Sequence, residues 1–237
     1  MKLFGKTTLT LAREILSYLP IILASDSQRR HVHRWLRSLI QENYLLREKV
    51  PWITFDALDY LKERLFWKPR VFEYGSGGST LHWLRFGATC VSIEHDPEWF
   101  ALTRDRLSHV DEVDYRLVLP EKVVGPRSPD ITDPALYLSA VPLFQGYSFK
   151  RYVSQIDGFP DCFFDLVMID GRARPSCIMH GARKVKKGGM MILDNADRVY
   201  YTAKTQQYLG DFTCSSFHGV GPCGRRMWRT DIYLKKA

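Results

Sequence analysis

The sequence predicts an α/β fold in which helices cover both faces of a mostly parallel sheet. From residue 67 onward, short apolar runs of strand length alternate with amphipathic segments of helical period. Strands buried on both faces have unbroken apolar sequences, as Leu166-Val167-Met168-Ile169 does. Two strand-like stretches, 212–218 and 227–234, then follow each other without a helix between them. We therefore expect a three-layer sandwich closed by an antiparallel strand.

Apolar periodicity and turn residues give the expected boundaries of the elements. Strands are predicted at 71–73, 88–95, 113–119, 163–170, 190–193, 212–218 and 227–234. Helices are predicted at 7–19, after Ser25 or Asp26, at 54–65, after the turn at 75–80, from Pro97, and at 147–156, 175–186 and 198–209. We expect Pro20 to end the first helix and Thr54 to cap the third.

The sequence divides into an N-terminal helical cap, residues 1–66, and a sheet domain, residues 67–237. In the second helix of the cap, the expected buried stripe is Val32, Trp35, Leu36, Leu39 and Ile40. His31 and His33 are expected on a solvated face, because no carboxylate or cysteine accompanies them at ligand spacing.

Residues 120–160 interrupt the alternation with six prolines. In a regular βα alternation such an insertion lies over the binding face, so we expect it to form a substrate wall. A loop without contact to the site is the alternative.

Composition excludes a wholly disordered chain, since 45% of the 237 residues are hydrophobic and 25% are charged. The formal net charge is +8, with basic ends and an acidic middle. This asymmetry fits either an anionic partner or solvated basic faces. The basic, amphipathic N-terminal helices either pack beside the sheet domain or contact a membrane surface peripherally.

Five cysteines without a Cys-x-x-Cys pair indicate reduced thiols in a cytoplasmic protein. Arg13 and Glu14 interrupt the apolar run near the start of the sequence. Neither a secretory signal nor a membrane span is therefore predicted.

The segment Glu73-Tyr74-Gly75-Ser76-Gly77-Gly78-Ser79-Thr80 is typical of a strand end, a tight turn and a helix start. Glycine permits φ > 0 and close approach of the backbone to a ligand, and a helix N-terminus presents N–H groups to an anion. Carboxylates close four predicted strands, at Glu73, Glu94, Asp170 and Asp194. Because ligands of open α/β sheets bind beyond the carboxyl ends of the strands, these residues predict one shared site.

The glycine turn together with Glu94 resembles the S-adenosylmethionine site of class I methyltransferases. The resemblance covers residues 70–235 and implies a Rossmann-like methyltransferase sandwich. It implies that Glu73 orients the amino end of the cofactor and that Glu94 accepts hydrogen bonds from both ribose hydroxyls. The cofactor-binding residues expected from it are Glu73, Gly75, Ser76, Gly77, Gly78, Ser79, Thr80, Glu94, His95 and Asp170.

The turn departs from the usual pattern at its last positions. Ser79 stands where the family has its third glycine, with Gly78 one place early. A dinucleotide-binding enzyme is the competing interpretation, but the sixth position of Gly-x-Gly-x-x-Gly is Thr80, which weakens it.

Asp170 and the pair Asp194-Asn195 resemble the metal ligands of the catechol-type, Mg²⁺-dependent O-methyltransferases. This resemblance implies a magnesium ion held by Asp170, Asp194 and Asn195, which would lower the pKa of a bound hydroxyl. The sequence departs from the family in the segment Gly171-Arg172-Ala173-Arg174, which lacks the family's lysine. In the alternative, Asp170 and Asp194 line the site and cap the following helices without a metal.

The resemblance implies methyl transfer to a hydroxyl of a small-molecule or glycan-like acceptor, with Asp170 and Arg172 as catalytic residues. Asp170 would assist deprotonation, while Arg172 and Arg174 would clamp a carboxylate or phosphate of the acceptor, or lie in a solvated turn. A basic module that binds or methylates nucleic acid is the alternative, although the sequence contains no recognised RNA-binding motif. A catalytically inactive relative that retains the cofactor is a third interpretation.

Overall fold

A seven-stranded sheet forms the centre of the protein. The computed structural model describes residues 8–65, 67–107, 110–123 and 130–237. The strands are β1 (Arg70–Tyr74), β2 (Thr89–Glu94), β3 (Val113–Leu117), β4 (Glu121–Lys122), β5 (Tyr147–Ser148), β6 (Phe164–Ile169), β7 (Val185–Leu193), β8 (Phe212–Gly219) and β9 (Trp228–Lys235). The order in the sheet is β3-β2-β1-β6-β7-β9-β8, and β4 and β5 form a separate ribbon.

The α-helices pack on both faces of this sheet or lie in the N-terminal part. They are α1 (Thr8–Ala24), α2 (Val32–Ile40), α3 (Tyr44–Glu48), α4 (Phe55–Lys62), α5 (Gly78–Leu84), α6 (Pro97–Leu107), α7 (Lys150–Val153) and α8 (Arg174–Gly181). Short 3-10 segments occur at Arg29–His31, Pro134–Leu136, Pro142–Phe144, Ser154–Gly158, Ala182–Lys184, Val199–Tyr201 and Gln206–Tyr208. None of the described helices is long and apolar enough to cross a membrane.

Strand directions confirm the predicted fold class. Strands β3, β2, β1, β6 and β7 run parallel, whereas β9 runs antiparallel to both of its neighbours, β7 and β8. The register aligns Tyr74 with Ile93 and with Ile169, and Ile169 with Leu193. The carboxyl ends of β2, β1, β6 and β7 therefore lie side by side. From β1 the chain continues to β2 on one side of β1, whereas β6 pairs with β1 on the other side. The carboxyl end of β1 is therefore the topological switch point of the sheet.

The alternation of side chains along β1 assigns its residues to two apolar layers. Phe72 and Tyr74 pack with Tyr152 and Ile178 on one face, and Val71 packs with Trp83 on the other. Both layers are buried, which explains the unbroken apolar runs of the parallel strands. Because Glu73 shares its strand face with Val71, its side chain points into the layer beneath α5.

The N-terminal helices are anchored on the turn between β8 and β9. Ile22, Trp35 and Phe55 form a buried cluster with Val220 of that turn. The indole Nε1 of Trp35 donates to the carbonyl oxygen of Gly224 at 2.9 Å. The predicted cap, residues 1–66, thus contributes its described helices to a surface built partly from the C-terminal strands, while residues 1–7 and 66 lie outside the described residues.

Two predictions for the N-terminal helices were wrong. Helix α1 continues through Pro20 to Ala24, and the burial of Ile22 in the apolar cluster stabilises this extra turn against the lost hydrogen bond. Neither Ser25 nor Asp26 caps α2, which starts at Val32 after a 3-10 turn.

The stripe predicted for α2 is correct in Trp35 and Leu39, which are buried, but Ile40 is 67% exposed. His31 is buried rather than solvated, because its Nε2 lies 2.8 Å from a carboxylate oxygen of Asp56 and its ring packs on Phe55. His33 is exposed as predicted.

Three further boundaries differ from the prediction. Residues 198–209 form two 3-10 segments and no α-helix. Helix α4 ends at Lys62, three residues before the predicted end. The Thr54 hydroxyl does not cap α4, because it donates instead to the carbonyl oxygen of Phe217 at 3.3 Å.

Elsewhere the differences concern where elements start. Strand β7 starts at Val185, five residues before its predicted start, and continues through the glycine pair. The predicted helices at 147–156 and 175–186 each divide into an α-helix and a 3-10 segment. The predicted helix start at Thr7, like Pro126 and Pro129 of the insertion, lies outside the described residues.

A side chain at Gly78 should destabilise the contact between the N-terminal part and the sheet domain. A Cβ there would lie 2.2 Å from the carbonyl oxygen of Val50 and 2.4 Å from that of Leu45. We expect Gly78→Ala to lower the free energy of unfolding by about 1–3 kcal/mol, the usual cost of overpacking. Urea unfolding measures the loss. Gly210→Ala is the matched control, since no atom lies within 4 Å of its added Cβ, and equal losses in both variants would contradict the packing.

Candidate functional site

A cavity of about 980 Å³ opens at the carboxyl ends of β1, β2, β6 and β7. Its walls come from the glycine turn, the ends of these strands, the start of α6 and the turn between β8 and β9. Asn43, Leu45 and Trp52 add a wall from the N-terminal part. The volume is at the upper end of the range for small-molecule sites, roughly 300–1,000 Å³, so the cavity has room for a cofactor and a second molecule.

Gly75 and Gly77 adopt backbone conformations that other residues rarely take, with φ of +92° and +146°. A Cβ at Gly75 would lie 3.0 Å from the backbone nitrogen of Gly171, and one at Gly77 would lie 3.0 Å from the indole ring of Trp99. The same indole donates its Nε1–H to the carbonyl oxygen of Ser76 at 2.7 Å. The sequence pattern therefore marks a turn that is closed from both sides by neighbouring elements.

Glu94, at the end of β2, faces the glycine turn and is only 3% exposed. One of its oxygens accepts from the backbone N–H groups of His95 and Asp96, at 2.7 and 2.9 Å. The other accepts from the backbone N–H and the hydroxyl of Ser76, at 3.1 and 3.0 Å. Burial alone would raise the pKa of Glu94, but the hydrogen bonds from His95 and Asp96 outweigh it and lower that pKa.

These four donors, together with the His95 Nδ1 that lies 2.8 Å from one Glu94 oxygen, occupy the roughly four acceptor positions of a carboxylate. A ligand hydroxyl at Glu94 must therefore replace one of them. The Ser76 hydroxyl can leave by rotating, because it has a second partner, the Tyr115 hydroxyl, at 2.6 Å. The sequence pattern does not indicate this contact between Ser76 and Glu94.

Glu73 does not reach the cavity. Its carboxylate is fully buried and accepts from Trp83 Nε1 at 3.0 Å and Ser92 Oγ at 2.8 Å, and also from the Thr80 hydroxyl. Thr80 Oγ1 in turn accepts from the backbone N–H of Gly77 at 3.1 Å. This placement makes Glu73 a structural group under the turn and not a group that orients a cofactor.

The cavity brings together most of the cofactor-binding residues that the sequence predicts. Those that line it are Gly75, Ser76, Gly78, Ser79, Glu94, His95 and Asp170. Glu73, Gly77 and Thr80 are not among its lining residues. Further lining residues that the sequence pattern missed are Trp52, Trp99, Arg198, Arg225 and Arg226. Among these residues, only the adjacent pair Arg225-Arg226, in the glycine-rich turn before β9, forms a sequence pattern that could have indicated a binding site.

Arg174 lies between the ends of β6 and β7 and is 4% exposed. Its guanidinium donates to Asp170 Oδ1 and to the backbone oxygen of Asp170, both at 2.9 Å, and to the backbone oxygen of Asp194. One carboxylate oxygen of Asp194 accepts from Trp228 Nε1 at 2.8 Å and from Thr230 Oγ1 at 2.7 Å. The two carboxylates are therefore already held by a fixed internal cation and by neutral donors.

This arrangement does not fit a magnesium ion on Asp170, Asp194 and Asn195. A divalent cation there would be repelled by the Arg174 guanidinium, and it needs a near-octahedral set of free oxygens. Within the described ranges no three His, Cys, Asp or Glu side chains are grouped to hold a metal. Asn195 lines the cavity, in a left-handed conformation with φ of 51°.

Burial and the negative charge of Asp194 raise the pKa of Asp170 to about 8, although Arg174 opposes the shift. Burial likewise raises the pKa of Asp194, against Arg174 and its hydrogen-bond donors. The Arg174 guanidinium thus pairs with the Asp170 carboxylate, whereas the Asp194 carboxylate accepts from neutral donors and interacts with Arg174 only at longer range. A carboxyl group with a pKa near neutral pH is suited to accept a proton from a substrate.

Arg172 crosses the cavity to His95, where its Nε donates to the imidazole Nε2 at 3.2 Å. Phe144 of the 120–160 insertion packs on the His95 ring at 5.4 Å and under the Arg172 guanidinium at 5.7 Å. Phe149 and Tyr152 of the insertion also pack on the His95 ring, at 5.8 and 6.1 Å, so the insertion contacts the cavity wall through several aromatic side chains. It is held to two of the residues that the sequence assigns to the site.

The sheet order, the reversed β9 and the glycine turn after β1 define the fold of the class I methyltransferases, as the sequence predicts. An O-methyltransferase from Bacillus cereus, solved in complex with S-adenosylhomocysteine, aligns with 99% of this chain and 94% of its own at a TM-score of 0.50 and 14% identity. At that identity the likeness establishes the fold and not the reaction.

Two other solved structures have somewhat lower scores. A Klebsiella pneumoniae protein provisionally described as an O-methyltransferase aligns over 95% of this chain and 97% of its own, with a TM-score of 0.49 and 16% identity. A Clostridium thermocellum protein provisionally described as an rRNA methylase covers 77% of this chain and 94% of its own, with a TM-score of 0.48 and 12% identity. No model of a protein family matches this sequence, and no curated protein matches it.

The raised pKa of Asp170 should make stability fall as pH rises. Between the ordinary carboxyl value of 3.8 and about 8, the folded protein retains a proton that the unfolded chain has released, so the free energy of unfolding decreases across this window. In Asp170→Asn this contribution is absent, and the decrease from pH 5 to pH 8 in urea unfolding should be smaller. Asp26→Asn, at a carboxylate 91% exposed, is the control. Parallel slopes in all three proteins would contradict the expectation.

Magnesium should not bind between Asp170 and Asp194 while Arg174 is present. We expect no saturable binding of Mn²⁺, used as a paramagnetic substitute for Mg²⁺, in an electron paramagnetic resonance titration. Arg174→Met removes the competing charge and keeps most of the volume, so it should allow an ion to bind if circular dichroism shows the fold intact. Saturable binding to the wild type that Asp170→Asn abolishes would contradict the assignment.

Proposed function

We propose that the protein is an S-adenosylmethionine-dependent methyltransferase that acts on a hydroxyl group of a small-molecule acceptor. The observation that carries the proposal is Glu94, a buried carboxylate of lowered pKa that faces the glycine turn at the switch point of the sheet. An ionised carboxylate is a strong acceptor for a ribose hydroxyl, and the Ser76 hydroxyl can free one acceptor position. The same pairing of residues is the basis of the resemblance that the sequence carries.

The proposed orientation of the cofactor follows from the walls of the cavity. Its ribose would lie on Glu94 after the Ser76 hydroxyl rotates, and its methionine end would lie along Gly75 and Ser79, whose backbone comes close to the cavity. The sulfonium methyl group would then point toward the ends of β6 and β7. The complex of the Bacillus cereus relative with S-adenosylhomocysteine supports this proposal at the level of a shared fold.

The reaction proposed is an in-line displacement. The bound cofactor would supply an electrophilic methyl group, whose bond to sulfur would break as the bond to the acceptor oxygen formed, leaving a neutral thioether. Asp170 takes the hydroxyl proton, since its raised pKa lies close to neutral pH. Arg174 holds the Asp170 carboxylate by the ion pair at 2.9 Å, and the remaining contribution of the protein is positioning.

This mechanism uses no metal ion, because the Arg174 guanidinium already contacts the Asp170 carboxylate and the backbone oxygen of Asp194. Methylation of nucleic acid has no specific observation in its favour. The glycan-like acceptor, the cytoplasmic location and the peripheral membrane contact stay predictions from the sequence.

Replacement of Glu94 should weaken cofactor binding in a folded protein. Glu94→Gln keeps the shape but loses the charge, and charge-assisted hydrogen bonds of roughly 1.5–3 kcal/mol correspond to about a 10- to 150-fold loss of affinity. Calorimetric titration with S-adenosylhomocysteine measures the change. Glu63→Gln, on a side chain 77% exposed, should bind as the wild type does. Absence of binding to the wild type would refute the proposed function itself, and unchanged affinity in Glu94→Gln would refute the assignment of the ribose site.

A further inference from the structure

Charge is divided between the two ends of the cavity. Five arginines line it, and all follow β6 or β7 or precede β9: Arg172, Arg174, Arg198, Arg225 and Arg226. The acidic residues Asp96 and Glu98 line it near the end of β2, beside Glu94. Since the sheet order is β2-β1-β6-β7-β9, Arg198, Arg225 and Arg226 lie on the side of the cavity away from Glu94, beyond Asp170 and Asp194. Arg172 reaches back to His95, the residue after Glu94.

Only part of this positive charge is neutralised by the described residues. Arg174 is paired with Asp170 at 2.9 Å and Arg225 with Glu14 at 3.0 Å. In the parts of the chain that the structure describes, no carboxylate lies within ion-pair distance of Arg172, Arg198 or Arg226.

The partners of these arginines are uncharged or aromatic groups. Arg172 donates to the His95 imidazole, and Arg198 donates to the Tyr201 hydroxyl at 2.8 Å. Arg226 is exposed at the cavity mouth. Three guanidinium groups around one concave wall repel each other, and an anion between them removes this cost.

In the orientation proposed above, the cofactor's own carboxylate would lie along the glycine turn, away from two of these arginines. Neighbouring strands are about 4.8 Å apart, so the ends of β7 and β9 lie roughly 10 and 14 Å from the glycine turn after β1. Arg198 follows β7 and Arg226 precedes β9. These two arginines therefore belong to the part of the cavity that the proposed cofactor position would leave open.

A second, smaller recess shares lining residues with the cavity. Arg172 and Arg198 line both, and the opposite wall of the recess comes from residues 138–141 of the insertion and from Tyr200 and Tyr201. The recess is small, about 20 Å³, or the space of one water molecule. It extends the basic surface under the insertion that the sequence predicts as a substrate wall.

We propose that the methyl acceptor is anionic, and that Arg172, Arg198 and Arg226 bind its carboxylate or phosphate group. Guanidinium matches both anions by bidentate hydrogen bonding, and its pairing fixes the orientation of the acceptor as well as its affinity. This proposal rests on the proposed function, because it assigns the part of the cavity beyond the cofactor to the acceptor. The reacting hydroxyl then lies between this anion site and the cofactor, beside Asp170.

The test compares three aromatic probes of similar size, benzoate, phenyl phosphate and neutral benzyl alcohol. Each is titrated by calorimetry into the full chain already saturated with S-adenosylhomocysteine, so that arginines used by the cofactor do not contribute. At least one anionic probe should bind about tenfold or more tightly than benzyl alcohol. The preferred probe then distinguishes a carboxylate site from a phosphate site, and added salt should weaken only the anionic probes.

Single variants locate the site. Arg198→Gln and Arg226→Gln should each lower the affinity for the preferred anion by roughly tenfold and leave that for benzyl alcohol unchanged. The matched control is Arg85→Gln, since Arg85 is exposed at the far end of α5. Arg226 is exposed, so its replacement keeps the test decisive if Arg198→Gln fails to fold.

The outcomes separate this inference from the proposed function. If S-adenosylhomocysteine binds but anionic and neutral probes bind alike, the anionic acceptor is refuted and the methyltransferase assignment stands. An anion preference that disappears when S-adenosylhomocysteine is present would assign the arginines to the cofactor and also refute the inference. If S-adenosylhomocysteine does not bind at all, the proposed function fails first.

Discussion

The site depends on one buried carboxylate that no ligand is expected to touch. Glu73 accepts hydrogen bonds from α5 and from β2, and through Thr80 it fixes the N–H of Gly77. Burial raises its pKa, and the surrounding hydroxyl and indole donors oppose that shift. A buried carboxylate that lacks one of its donors strongly destabilises the folded protein. The hydrogen bonds to Glu73 therefore have to form together. The geometry of the turn, and with it the position of Glu94 relative to the cavity, follows from this network.

The sequence predicted the parallel sheet and the site at its carboxyl edge because both depend on local signals. Buried parallel strands have unbroken apolar runs, and the last residue of each run falls at one edge. The role of Glu73 could not be predicted in the same way, since both faces of β1 are buried and its sequence does not reveal which face meets the ligand. The helix predicted at 198–209 does not form, because its apolar residues pack against different parts of the protein. Tyr201 contacts Arg174, and Leu209 packs in the core.

The predicted magnesium site shows how carboxylates at strand ends can already be held by groups of the protein itself. Asp170 and Asp194 do lie at neighbouring strand ends, as their positions predict. The competing group is Arg174, the first residue of α8, which the turn after β6 brings back to Asp170 at 2.9 Å. The guanidinium supplies a fixed positive charge without open coordination positions, which is why the role proposed for Asp170 is proton transfer and not metal binding.

The indole of Trp228 connects the site to the N-terminal helices. Its Nε1–H holds the carboxylate of Asp194, and its ring lies against Gly221 and Gly224, where a Cβ would come within 2.4 Å of it. The carbonyl oxygen of Gly224 is in turn the acceptor for Trp35 in α2. Trp35, the glycine turn and Trp228 thus form a continuous chain of contacts from helix α2 to Asp194 at the cavity. The N-terminal part is therefore a structural component of the site, and a sheet domain expressed without it would lack the support that orients Asp194.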